Sequence, residues 1–116
     1  MAISEAYTFS AVTVSTVEIS FVSGTTSLQT ITTAGVYQLW VDPVTNMAKA
    51  DEFIIKCYEK VKSTGTKRVF AQWSLLGTQN ELFVTPTLIL LNGWDFTITK
   101  IAGTDRAFDG SIRKVA

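Results

Sequence analysis

Apolar and polar residues alternate along most of the chain with the two-residue period of a half-buried strand. In Val12-Thr13-Val14-Ser15 the apolar residues fall on even positions, whereas in Val17-Glu18-Ile19-Ser20-Phe21 they fall on odd ones. Such a parity switch marks a bulge or short break near Thr16. Further runs cover Leu28 to Thr32, Val36 to Val41, Phe53 to Lys62, Val69 to Leu76, Val84 to Leu91, Trp94 to Ile101 and Ala107 to Val115. With turn signals between them every ~8–12 residues, the pattern predicts an all-β, single-domain antiparallel β-sandwich of jelly-roll type with little or no helix. Asp42-Pro43 ends one strand, because proline donates no ladder hydrogen bond, and Val44 to Ala50 reads as a loop or a single helical turn.

Two hairpins are expected in detail. Ser63-Thr64-Gly65 reads as a three-residue connection with glycine in the left-handed position. Its register places Ile55, Cys57 and Val61 on a core face with Val69, Ala71, Trp73 and Leu75. Glu59 falls on the same face, and an unpaired carboxylate there would cost several kcal/mol, so pairing with Arg106 or Arg113 is expected. Asn92-Gly93 reads as a type I′ turn pairing Leu91 with Trp94 and Ile89 with Phe96. Those residues and Ile98 form one apolar face, while Leu88 and Leu90 lie on the opposite face and need cover from elsewhere in the chain or from a neighbour. Leu88, Leu90, Arg106 and Arg113 are therefore the expected interface residues, with a possible N-terminal arm beside them.

Composition agrees with strand and adds little chemistry. Thr, Val and Ile make up 37 of 116 residues, an excess that suits a pleated surface. Ten basic residues balance ten acidic ones, which argues against a domain built to grip nucleic acid or anionic membrane. Histidine is absent and Cys57 is the one cysteine, so His-dependent triads, an internal disulfide and most zinc sites are excluded. The acidic residues form no calcium loop. No enzyme, cofactor or metal is expected. Met1-Ala2-Ile3-Ser4-Glu5 carries neither a basic nor an apolar leader region, which is expected of a chain made in the cytoplasm.

Four further features have bland readings. Cys57 reads as a buried structural thiol. Lys56, Lys60, Lys62, Lys67 and Arg68 read as a solvated face, interleaved as they are with Asp51, Glu52 and Glu59. Trp40, Trp73, Trp94, Tyr7, Tyr37 and Tyr58 could line a sugar platform but fit core-strand positions better. Gly103-Thr104-Asp105-Arg106, followed by Ser111-Ile112-Arg113, reads as a turn into a closing strand or as an arginine fork offered to a carboxylate.

Gly35-Val36-Tyr37-Gln38-Leu39-Trp40-Val41-Asp42, Tyr58-Glu59-Lys60, Gly93-Trp94-Asp95, the Gly103–Arg106 and Ser111–Arg113 motifs and the closing Val115-Ala116 together resemble small all-β virion structural proteins of tailed bacteriophages. The resemblance covers about the last two-thirds of the chain. It implies a capsid decoration or cement protein, with a head-tail connector or tail component as the alternative. It further implies residence in the virion, a homo-oligomer with a trimer favoured, and the major capsid protein or other virion proteins as partners. A sugar-binding β-sandwich module is the reading from a different class.

Overall fold

The structure is a computed structural model that describes residues 2–115. Nine strands occur among them: β1 (Ile3–Val14), β2 (Ile19–Ser20), β3 (Gly35–Asp42), β4 (Glu52–Glu59), β5 (Arg68–Leu76), β6 (Phe83–Val84), β7 (Leu88–Leu90), β8 (Asp95–Ala102) and β9 (Arg106–Val115). They form two antiparallel sheets, one ordered β1-β9-β3 with β6 and β7 both paired to the free side of β3, the other ordered β2-β8-β4-β5. The pairings β1·β9, β2·β8, β3·β7 and β4·β5 are those of a long two-limbed ribbon with its tip between β4 and β5. Rolling the ribbon sends alternate pairs to alternate sheets and brings β9 beside β3 and β8 beside β4, which is a jelly roll.

The alternation read from the sequence sets the core. Tyr37, Leu39, Val41, Phe108 and Ile112 point inward from the first sheet and meet Phe53, Ile55, Cys57, Phe96 and Ile98 from the second. Aromatic pairs bridge the layers, Phe53 against Phe108 at 4.9 Å and Tyr37 against Trp94 at 4.4 Å between ring centroids. One continuous buried cluster runs from Phe9 to Ile112. The exposed surface, 6166 Å², is close to the roughly 6,200 Å² of a folded monomer of this mass, so the core closes without a partner.

The parity switch near Thr16 is the crossing from β1 to β2, where the chain changes sheets and Ser15 accepts from the Lys100 N–H. Leu28 to Thr32 does not form a strand. It straps the outer face of the second sheet, joined by the single bridge Ile31 to Trp94. Beneath the strap, Asp95 accepts from the Ser20 hydroxyl at 2.7 Å and the Gln29 N–H at 2.8 Å, which explains why polar residues of β8 are buried. Burial raises the Asp95 pKa above its ordinary value. Turns, and no helix, span Val44 to Ala50.

Both expected hairpins are corrected. The expected β4–β5 register holds from Glu52 to Cys57, but a bulge between Cys57 and Tyr58 shifts the rest, and the strands end at Glu59 and Arg68. The connection is therefore longer than three residues, Gly65 is not left-handed, and Val61 is 99% exposed instead of core. At Asn92-Gly93 there is no hairpin at all. β7 pairs with β3 in one sheet and β8 with β4 in the other, so residues 91–94 carry the chain between layers. Nor is there a loose N-terminal arm, since β1 pairs with β9 from Ile3 to Val14.

Candidate assembly surface

A sandwich has four sheet edges, and three of these are blunted. β1 carries two bulges; at the second, Ala11 adopts a left-handed φ of 47° and donates its N–H to Asp109 at 2.7 Å. β2 is two residues long. β6 and β7 are short and separated by Pro86. The fourth edge, β5, is nine residues long, contains no proline and carries one charge, Arg68, at its start; it has one bulge, at Phe70, and runs without interruption from Ala71 to Leu76. Among the described residues its outer side has no strand partner. An open edge of that length is a template for another strand.

Apolar exposure is concentrated on the same side of the sandwich. Of the twelve large apolar residues that are exposed among the described residues, seven lie on β5 or β7 or in the loops that flank β5, β6 and β7. Val61 and Ile89, 99% and 85% exposed, stand with Val69 and Phe70 around a groove of about 330 Å³ between the β5 and β7 edges. Leu90 forms its floor, and Lys60 and Arg68 line it as well. At the other end of β5 lies the exposed Leu76, while the exposed Leu82, just before β6, lines a hollow on the outer face of the first sheet. Trp73 against Phe83, centroids 5.4 Å apart, closes the two sheets together behind this edge.

Each residue expected at an interface has a definite place, and the parity of β7 is the reverse of that expected. Leu90 is 2% exposed and belongs to the core, Leu88 packs against it, and Ile89 faces outward. The reason is the missing hairpin: pairing with β3 points Leu88 and Leu90 to the inside of the first sheet. The expected pairing of Glu59 with Arg106 or Arg113 is likewise corrected. Glu59 accepts from the N–H groups of Leu91 at 2.7 Å, Asn92 at 3.1 Å and Lys60 at 2.9 Å, so backbone donors satisfy it. Arg106 instead pairs with Asp51 at 2.7 Å. Arg113 stacks over Trp40, 3.9 Å from the ring centroid, on the outer face of the first sheet.

That outer face holds two hollows, of about 300 and 250 Å³, which share Arg113. Glu5 and Asp109 lie in the first. The aromatic residues do not make an open platform: Trp94 and Tyr37 are buried, and Arg113 already covers Trp40. Cys57 is buried at 1% exposure, and burial pushes its thiol pKa up, with Asp95 adding to the effect. Of the cationic cluster, Lys67 donates to the Gln29 carbonyl at 2.8 Å and lies over the Tyr58 ring. Tyr58 donates to Glu18 at 2.6 Å, and burial and that carboxylate push its pKa up to about 12. Sequence reasoning missed the β5 edge because Val69 to Leu76 reads as a strand like any other, and nothing within the run says which of its sides is paired.

No family model matches the chain, and no curated protein sequence matches it. Among solved structures it is similar to a xylan-binding domain from CBM 22, at 15% identity and a TM-score of 0.42, with 73% of this chain covered. The match spans 57% of that domain's length, and a likeness this distant carries over nothing of what that domain binds.

Proposed function

We propose that this chain is a structural subunit that works by burying surface against neighbours, in the capsid decoration or cement role that its sequence resemblance implies. One observation carries the reading: a single side of the sandwich combines a nine-residue edge strand that has no outer partner with most of the exposed large apolar residues, among those described. Such a surface is costly to leave in water, where each buried apolar side chain would contribute about 1.5–3 kcal/mol if covered. The partner in this role is the major capsid protein or another virion protein, and the place of action is the virion.

Copy number tests it. Quantitative mass spectrometry of purified particles should find the protein in proportion to the major capsid protein, and Ile89→Lys and Phe70→Ser should lower that occupancy with little change in melting temperature. A ring-sized copy number would replace cement by the head-tail connector. Absence of the wild-type protein from particles would overturn the reading.

A further inference from the structure

We propose that the groove between the β5 and β7 edges receives an extended segment of a partner protein that presents a large apolar side chain and an Asp or Glu on one face. The proposal names the chemistry of the partner and rests on the reading of this side of the sandwich as a contact surface.

The backbone builds the apolar part of the groove. Cys57 pairs with Ala71 but Tyr58 pairs with Val69, so Phe70 is an extra residue of β5 with no partner in β4. Consecutive side chains of a regular strand point to opposite faces, whereas a bulge re-aims them. Val69 and Phe70 accordingly both line the groove, 42% and 48% exposed, with Leu90 beneath them. Val61 and Ile89, the two most exposed of the large apolar residues described, complete its walls.

Electrostatics set the charge of the occupant. Lys60 and Arg68 line the same groove, and among the described residues neither forms an ion pair. Arg68 lies directly opposite Glu59 in the ladder, where an opposite charge would ordinarily serve as its partner. The Glu59 carboxylate is turned instead to backbone donors, one oxygen accepting from Leu91 at 2.7 Å and the other from Asn92 at 3.1 Å and Lys60 at 2.9 Å. An incoming carboxylate supplies the partner that Glu59 does not, and a guanidinium can hold it through two parallel hydrogen bonds. A neutral or basic segment would cover the two cations without pairing them, which is costly.

The shape of the groove selects a polypeptide over a small molecule. Pockets for small ligands enclose most of what they hold. This groove, of about 330 Å³, has walls at Val61 and Ile89 that stand 99% and 85% in solvent, so only a chain lying across them covers both. The run from Ala71 to Leu76 continues from it with an outer side that has no strand partner among the described residues, and its backbone can hold such a chain extended. Residues two apart in an extended segment share a face, so an apolar residue and an acid at that spacing reach the floor and the cations together.

An array of random heptapeptides, probed with the purified full chain, tests the chemistry without presuming a partner. Peptides retained by wild type and not by Ile89→Lys should carry a large apolar residue two positions from Asp or Glu. The best of them, synthesised with blocked ends, should shift the amide signals of Val61, Val69, Phe70 and Ile89 in an NMR titration. Replacing its acid by Lys should weaken binding about tenfold or more, and the double variant Lys60→Glu, Arg68→Glu should reverse that preference. Circular dichroism and melting temperature confirm that each variant folds.

Retention that Ile89→Lys leaves unchanged, retained peptides with no preference for acids, or an acid preference that survives the double charge reversal would each overturn the proposal. So would a wild-type dimer that Ile89→Lys converts to monomer, since a second copy would then fill the groove. The two proposals fail separately. Selection of acidic apolar peptides by a protein missing from particles upholds the groove and overturns the virion role. Wild-type protein on particles, with no acid preference and with occupancy unchanged by the double charge reversal, does the reverse.

Discussion

Arg106 donates its Nε–H to the Asp51 carboxylate at 2.7 Å, and only 1% of the Asp51 side chain reaches solvent. The same carboxylate accepts from the N–H groups of Ala48 at 2.9 Å and Thr104 at 3.1 Å. It thereby ties the start of β9 to the turn that enters β4, fastening one end of the roll across both sheets.

Burial alone would raise the Asp51 pKa, but these donors and the Arg106 charge outweigh it and hold the pKa below the ordinary 3.8. The folded state therefore gives up the proton more readily than the unfolded chain. The resulting stability is present above about pH 3.8 and is lost as pH falls through the folded-state value. Asp95, raised by burial, acts in the opposite sense, because acidification relieves its buried charge. Asp51→Asn should cost about 2–4 kcal/mol in urea unfolding at pH 7 and should flatten the acid loss of stability relative to wild type.

Gly103 packs against that carboxylate with a φ of +90°. A Cβ there would meet the Asp51 side chain, and would lie 2.7 Å from the Asp51 Cα and 2.9 Å from the Ala50 carbonyl oxygen. Gly103→Ala should therefore lower stability by at least about 1–3 kcal/mol. Combined with Asp51→Asn, it should cost less than the sum of the two single changes, since both disturb one contact. Thermal unfolding of the three variants measures this.

Glu59 holds the crossing from β7 to β8 by accepting from Leu91 and Asn92. Glu59→Gln keeps one acceptor oxygen and should cost about 1 kcal/mol, while Glu59→Ala should cost more. Hydrogen exchange at the Leu91 and Asn92 amides should speed up in both, with little change in the amides of β9.

Adjacent residues of β7 should respond oppositely to truncation. Leu90→Ala removes a core side chain and should cost about 2–5 kcal/mol. Ile89→Ala removes an exposed one and should stay within about 0.5 kcal/mol in dilute monomer. Urea midpoints at matched concentration decide between this arrangement and one with Ile89 inside.

The Cys57 thiol should be inert in the native protein, since it is buried and its pKa is raised. A thiol-specific reagent should modify it only at the rate of opening, and one equivalent should react at once in denaturant.

Much of the architecture is written locally. The period-two alternation placed β3, β4, β5, β8 and β9 to within a few residues, because an inward position on a pleated strand must be apolar whatever the strand pairs with. For the same reason Ile55, Cys57, Phe96 and Ile98 were legible as apolar-face residues, and the segment near Thr16 as a bulge or short break.

Tertiary structure decided which segments meet. Asn92-Gly93 has the chemistry of a tight hairpin, yet rolling the ribbon assigns the strands on either side to different sheets, and Glu59, 32 residues away from Leu91, takes up the freed N–H groups. Arg106 could have served Glu59 by charge, but the roll puts it beside Asp51. The open edge could not be read from sequence either. β5 reads as a strand like its neighbours, and its exposure follows from its place at the end of a sheet order that only long-range pairing sets.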